Sequence, residues 1–401
     1  MLRLLLTAAF VLVSLEANSK EDGLAYLNAI RKHAGLIELR KNKTLDHAAA
    51  SHAQYLVKNQ TNSHYEKHGK YTFTGTTPSQ RVLKAGYPTS YIMENQSINT
   101  KGYVKSIDNL FSAIYHRFVF LNLDKDEIGI GSATSGIKRK INSAYVYDMG
   151  SSTIADLCRR SFSMTHGVYY VKNICKQNNK MIPQLLLEDT KEAIQRKNKD
   201  IILYPYEGQR EIWPAFYNES PDPLPEYMVS GFPVSVQFNP AFYTNVKLLS
   251  FRLFDENAKE IQETKILQKK NDCNHLFTSH QFALMPLKRL EFNTLYTASF
   301  EGLADGKKVQ KRWTFRTTKP DHILYRITQN ESTLNVEAGS TVVVYMVPSS
   351  KKDIIHSYKT KGAIKVSLLD QNTLEVTFPK RGSSGKADLE IGKKKIVFNV
   401  H

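Results

Sequence analysis

Apolar positions recur at helical spacing in the first sixty residues. Leu24, Leu27 and Ile30 open one such pattern, and Leu45, Ala48, Ala49, Ala53, Leu56 and Val57 carry a second, with Gly35 as punctuation between them. A polar and aromatic loop over 59–77 follows. Pro78 opens a helical stretch over 79–85 that Gly86 ends, the usual placement of these two residues. The spacing predicts a fourth helix over 104–121. Alternating patterns then predict strands over 127–133 and 144–150, joined by the basic turn 135–140. Helices followed by strands argue an α+β domain over 18–155.

The pattern changes farther on. One charged helix is predicted over 187–196, inside a mixed extension over 156–225. The stretch 204–225 holds Pro205, Pro214, Pro221, Pro223 and Pro225 and reads as a linker, because prolines fix φ and remove backbone donors. Short strands then recur at 232–238, 248–254, 295–300 and 312–316. Asp305-Gly306 is a hairpin turn between the last two. An immunoglobulin-like β-sandwich over 226–318 is expected. Strand patterns at 324–328, 341–347, 364–369, 374–378, 387–391 and 395–400 predict a smaller β-domain over 319–401.

Composition adds compartment and partners. Arg3 precedes an apolar run over 4–13, and small residues stand at Ser14 and Ala17, so 1–17 reads as a secretory signal peptide. That run is too short to span a bilayer well, and no other stretch is long and apolar enough, so no transmembrane segment is expected. The expected location is periplasmic or extracellular. Lys and Arg total 55 against 38 Asp and Glu in 401 residues, a formal net charge of +17. A basic protein can bind nucleic acid, anionic lipid or acidic polysaccharide, but the positive residues are spread along the chain, which favours a merely soluble basic surface, and no nucleic-acid partner is expected. Of three cysteines, Cys158 and Cys175 either pair or stay as buried thiols, and Cys273 is left over. No G-x-S-x-G, P-loop or H-E-x-x-H motif occurs.

Six of the twelve histidines fall within 33–116: His33, His47, His52, His64, His68 and His116. His47 and His52 are five apart in one predicted helix, so they do not share a face as a metal pair would. The order of short motifs says more. Leu27-Asn28-Ala29-Ile30-Arg31 precedes Gly35-Leu36, then Ala48 to Leu56, Ser63-His64, Arg81 through Ala85-Gly86-Tyr87, and Met93-Glu94-Asn95. His116-Arg117, Glu127-Ile128-Gly129-Ile130-Gly131 and Tyr147-Asp148-Met149-Gly150 complete the set. This ordered set resembles the CAP superfamily, or SCP domain, of cysteine-rich secretory, antigen 5 and pathogenesis-related proteins. It is most similar to the bacterial branch, over about residues 22–152.

The resemblance implies an α-β-α sandwich with a cleft, where His64, Glu94 and His116 form a ligand-binding site able to hold a divalent metal such as zinc. Two imidazoles and one carboxylate suit that ion, with a fourth position left for water. The chain departs from the family pattern at Met93 for a glycine, Leu110 for a tryptophan and Ala113 for a second glutamate. A full tetrad, tight metal binding and hydrolysis are therefore all disfavoured. The expected function is a secreted, non-enzymatic protein that binds a lipid, glycan or protein ligand at the cell surface. The alternatives are a metal-assisted hydrolase of peptide or cell-wall substrates and a surface adhesin.

Overall fold

A computed structural model describes residues 19–380 and 385–401. The predicted signal segment 1–17 lies outside them. Helices run over Lys20–Ala34 (α1), Lys43–Asn59 (α2), Pro78–Ala85 (α3), Gly102–Ser112 (α4), Ile114–Phe120 (α5), Ser152–Arg159 (α6) and Gln184–Gln195 (α7). The chain divides into two compact units. The first comprises the described residues up to Ile30, together with 38–109 and 125–183, and the second comprises 31–37, 110–124 and 184–401. The fold is α+β, with helices around a sheet in the first unit and mostly strands in the second.

The first unit is built on a four-stranded sheet. Its strands are Arg40–Lys41 (β1), Met93–Ile98 (β2), Glu127–Thr134 (β3) and Ser143–Gly150 (β4), in the order β1-β3-β4-β2. Helix α2 starts at Asn42, whose side chain accepts from the Thr44 and Leu45 amides. It packs Ala49, Ala53 and Leu56 against Ala144 and Val146 of the sheet, and Leu45 and Ala48 against Val82, Tyr87 and Ala155. The contact is backbone-close. A Cβ on Gly129 would stand 2.0 Å from the Leu45 carbonyl carbon, and one on Gly131 would stand 2.1 Å from the Ala50 nitrogen. Glycine is required at both positions for the helix to lie this near the strand. The opposite face meets α4, where the Tyr103 hydroxyl bonds Ser132 and the Ser106 hydroxyl bonds Tyr147. Tyr26 of α1 donates to Asp108 of α4. The result is helix, sheet, helix in three layers.

Behind the sheet, α6 leads to a loop closed by the disulfide Cys158–Cys175 and by the ribbon of Tyr170–Val171 (β5) with Ile182–Pro183 (β6). The structure thus answers the cysteine question in favour of pairing.

The second unit holds Ile201–Tyr204 (β7), Gln209–Ile212 (β8), Ala215–Phe216 (β9), Ser230–Gly231 (β10) and Val234–Phe238 (β11). These continue with Val246–Phe254 (β12), Thr264–Gln268 (β13), Gln281–Pro286 (β14), Leu295–Ala304 (β15) and Lys307–Thr317 (β16). They form sheets β13-β14-β11-β7 and β12-β15-β16-β8, plus the pair β10-β9. Phe238, Phe251, Phe282, Phe300 and Trp313 meet between the sheets. Asp305 and Gly306 both take positive φ, as the predicted hairpin turn requires.

The remaining strands are Ile323–Ile327 (β17), Glu331–Val336 (β18), Thr341–Met346 (β19), Lys359–Lys361 (β20), Lys365–Asp370 (β21), Thr373–Thr377 (β22), Gly385–Ile391 (β23) and Lys394–Val400 (β24). They make two more sheets, β17-β19-β22-β21 and β18-β24-β23-β20. Val342, Val344, Leu374, Leu389, Ile396 and Phe398 fill the core between them.

Two expectations are corrected. The single helix over 104–121 is broken at Ala113, which has φ −82° and ψ 116°. The freed groups find side chains instead of each other. The Phe111 carbonyl accepts from Arg117 Nε at 2.7 Å, and the Tyr115 and His116 amides donate to the Glu219 carboxylate. The stretch 204–225 is not a free linker either. It supplies β8 and β9, and Phe216 and Leu224 are buried among residues of the second unit. The proline argument still shows in the placement. The five prolines fall outside the strands, β8 is an edge strand, and β9 belongs to a two-stranded pair.

Candidate functional site

In the first unit, buried charged side chains from α2, α3, β2, β4 and the loop after α2 converge. Helix α3 is fixed by Pro78 in its first turn and by a capping box between Thr77 and Gln80. It holds Arg81, almost fully buried, with Nη2 at 2.5 Å from Glu94 Oε2 and Nη1 at 2.8 Å from the His64 carbonyl. The other oxygen of Glu94 meets His64 Nδ1 at 2.8 Å. Both carboxylate oxygens of Glu94 are therefore engaged. The side chain of His64 is 32% exposed while that of Glu94 is 1% exposed, so the imidazole is the part of this pair that opens to solvent.

Behind them stands His52, fully buried on α2. Its Nδ1 is 2.9 Å from Glu66 Oε1 and its Nε2 is 3.1 Å from Gln96 Oε1. Glu66 also accepts from the Thr74 amide at 2.6 Å. Asp148 pairs with Glu94 across β4 and β2, and its fully buried carboxyl stands beside the Glu94 carboxylate, to which it can donate only when protonated.

The electrostatics follow from this geometry. Burial alone would raise Glu94, but the His64 hydrogen bond and the His52 and Arg81 charges outweigh it and hold its pKa at about 2. Glu66 is likewise held below its ordinary value, against burial, by His52, the Thr74 amide and Arg81. Asp148 goes the other way. Burial, reinforced by the Glu94 charge, pushes it well above the usual carboxylate range. Glu94 is thus an ionised carboxylate and its cross-strand neighbour a carboxylic acid reluctant to ionise.

His116 belongs to the second unit. Its Nδ1 is 2.8 Å from Glu219 Oε2, and that carboxylate also receives the first amides of α5. The neighbouring Arg117 is fully buried and has no carboxylate ion-pair partner among the described residues. It donates to the Phe111 carbonyl and to Ser235 Oγ, and its guanidinium stacks over Tyr204 at 4.8 Å and Phe232 at 4.9 Å. Burial pushes its pKa down to about 9. Arg31 donates to the Phe120 and Asn122 carbonyls just past α5. The motif arginines Arg31 and Arg117 therefore anchor α5 within its own unit.

Of the three predicted site residues, His64 and Glu94 come together, while His116 sits in the other unit with Glu219. No group of three or more His, Cys, Asp or Glu placed to hold a metal occurs among the described residues. As arranged here, His64 and Glu94 do not fit a divalent ion, because the Arg81 guanidinium already occupies the far side of the carboxylate and would repel it. The sequence reasoning missed Arg81, His52, Glu66, Gln96 and Asp148 as members of the cluster. The signal that could have found Arg81, His52 and Asp148 was their place inside the family-like motifs.

No curated protein matches the chain. Among solved structures, an extracellular SCP-domain protein from Bacillus anthracis str. Ames is 18% identical with a TM-score of 0.28. That match covers 34% of this chain and only 40% of the other. An outer surface protein from Borrelia burgdorferi is 22% identical over 32% of this chain and 89% of its own length, with a TM-score of 0.28. A Bacteroides ovatus glucan-utilisation protein, SGBP-B, solved with a mixed-linkage heptasaccharide, is 14% identical over 51% of this chain and 48% of its own, with a TM-score of 0.16. The model of the CAP, or cysteine-rich secretory protein, family matches residues 24–147, and the N-terminal part of the chain is a CAP domain of that family.

Proposed function

We propose that this CAP-domain protein acts outside the cytoplasm as a non-enzymatic binder of a surface ligand, with His64 as the contact residue of its charged cluster. The observation that carries the reading is the state of Glu94. A carboxylate clamped between Arg81 and His64, with a pKa of about 2, neither gives nor takes a proton near neutral pH. Its role is to orient and polarise the His64 imidazole, the partly exposed member of the pair. The β-rich second unit serves as a spacer or a second binding surface.

The test uses the full chain without its first 17 residues. Binding to purified envelope glycans and lipids is measured beside hydrolysis of peptide and cell-wall substrates, each with and without added zinc. Saturable binding weakened by His64→Ala, with no turnover, supports the reading. Zinc-dependent turnover abolished by His64→Ala or Glu94→Gln overturns it in favour of a metal-assisted hydrolase.

A further inference from the structure

We infer that the disulfide-closed loop 158–175 and the basic residues beside it form a docking surface for an anionic lipid bilayer. This loop lies behind the segment that matches the CAP family, and the inference does not depend on the His64–Glu94 cluster. From Leu157 to Leu187 there is no acidic residue, and Arg159, Arg160, Lys172, Lys176 and Lys180 lie in this stretch. Arg159 is paired with Asp156 on α6 and Lys180 Nζ donates to the Cys158 and Arg160 carbonyls, so the exposed Arg160, Lys172 and Lys176 are the cations left to meet a partner. At its tip the usual burial order is reversed. Met164 is 67% exposed, Tyr169 81% and Val168 41%. Three apolar side chains facing solvent on a loop otherwise charged only with cations are placed for the headgroup boundary, where the apolar part enters and the cations meet lipid phosphates.

The loop is built rather than slack. Cys158 and Cys175 tie its two ends. The Ser90 amide donates to the Ile174 carbonyl, which fixes the returning strand to the domain. The Tyr170 hydroxyl accepts from the Thr165 amide at 2.9 Å and donates to the Ser163 carbonyl at 3.0 Å, so it staples the tip across its own base. A turn follows, with the Val168 amide on the Thr165 carbonyl and Gly167 at φ +80°. These bonds hold the tip in place before any partner arrives, which reduces the ordering cost of docking. A soluble polyanion would use the same cations but would leave Met164, Val168 and Tyr169 idle, so the apolar tip singles out a bilayer.

The experiment is co-sedimentation of the full chain with phosphatidylcholine vesicles, with and without about 30% phosphatidylglycerol. Binding only to the anionic vesicles is expected, weakened by salt. The pair Met164→Asp and Tyr169→Asp should weaken it at least tenfold while leaving the melting temperature unchanged, since both side chains are exposed. Arg160→Glu with Lys172→Glu should weaken it roughly fivefold or more per charge. Reversal of Lys138, Arg139 and Lys140, a basic run elsewhere in the first unit, should change it far less. The proposal is overturned if the chain ignores anionic vesicles, or if the Met164 and Tyr169 variants bind as the parent does. It is also overturned if only the 138–140 reversal abolishes binding.

Discussion

Arg81 and Arg117 both come from the short motifs that mark the family, both are buried to within 1% exposure, and the two units treat them in opposite ways. In the first unit Arg81 faces Glu94 and lies 3.8 Å from Glu66, so its charge answers carboxylates that have no access to water. In the second unit Arg117 has two aromatic faces, a carbonyl and a hydroxyl, with no carboxylate in contact. The first is the keystone of an electrostatic cluster that opens to solvent at His64. The second is a packing device that happens to carry charge. A motif residue therefore reports a position in the fold, and its neighbours decide whether it does chemistry.

The sharpest way to break this comparison is Arg81→Met. It strands Glu94 and Glu66 as buried anions without their cation, and a loss of about 3–5 kcal/mol in urea unfolding is expected. If Arg81→Met costs no more than about 1 kcal/mol, the cluster is not held by charge and the contrast with Arg117 fails.

Acid is the next largest lever. The Glu94 pKa is depressed from 4.5 to about 2, so its contribution is fully present above pH 4.5 and is lost as pH falls toward 2. For a carboxylate this buried the loss amounts to about 3 kcal/mol. Both tryptophans, Trp213 and Trp313, lie in the second unit, whereas most helical residues lie in the first. Helical circular dichroism should therefore fail at a higher pH than tryptophan emission. Coincident acid transitions would show that the two units do not differ in this respect.

Asp148 carries the opposite sign. Its folded pKa is raised, so its contribution is present below its ordinary pKa of 3.8 and is lost as pH rises through the folded value. Asp148→Asn removes a buried carboxyl that keeps its proton at a cost. A gain of about 1–3 kcal/mol at pH 7 is expected, shrinking toward zero near pH 4. A destabilised Asn variant at pH 7 would mean that the carboxyl has a partner that matters.

Much of this architecture is legible in the chain because it is local. The repeat of Leu45, Ala48, Ala49, Ala53 and Leu56 marks α2, the Pro78 and Gly86 pair bounds α3, and Asp305-Gly306 places the longest hairpin. What stays hidden is what depends on distant partners. The break at Ala113 is stabilised by Glu219, 106 residues on, so no window around Ala113 contains its cause. The spacing of His52 from His47 fits no helical metal pair, so periodicity assigns His52 no role. Its partners, Glu66 and Gln96, come from a loop and a strand, where helix spacing carries no information. His64 and Glu94 are legible only through the family motif order, since 30 residues of irregular chain and helix separate them.

The smallest expected effect is also the most diagnostic, because it concerns rank order instead of size. Arg117→Met deletes a charge that no carboxylate contacts and that Glu219 supports only from a distance. It gives up bonds to the Phe111 carbonyl and Ser235 and the stacking on Tyr204 and Phe232. It also removes a guanidinium whose pKa burial has already pushed down to about 9. These terms oppose each other, and a net change within about 1 kcal/mol is expected. Arg117→Lys keeps the charge but replaces a planar, weakly hydrated fork with a compact ammonium that cannot reach both acceptors or stack on two rings. Lysine should therefore be worse than methionine at position 117. At position 81 the order should invert, because a lysine still offers Glu94 a cation and a methionine offers none. Urea unfolding of the four variants reads both orders in one series. The same rank at both positions would show that the two arginines are held by the same physics after all.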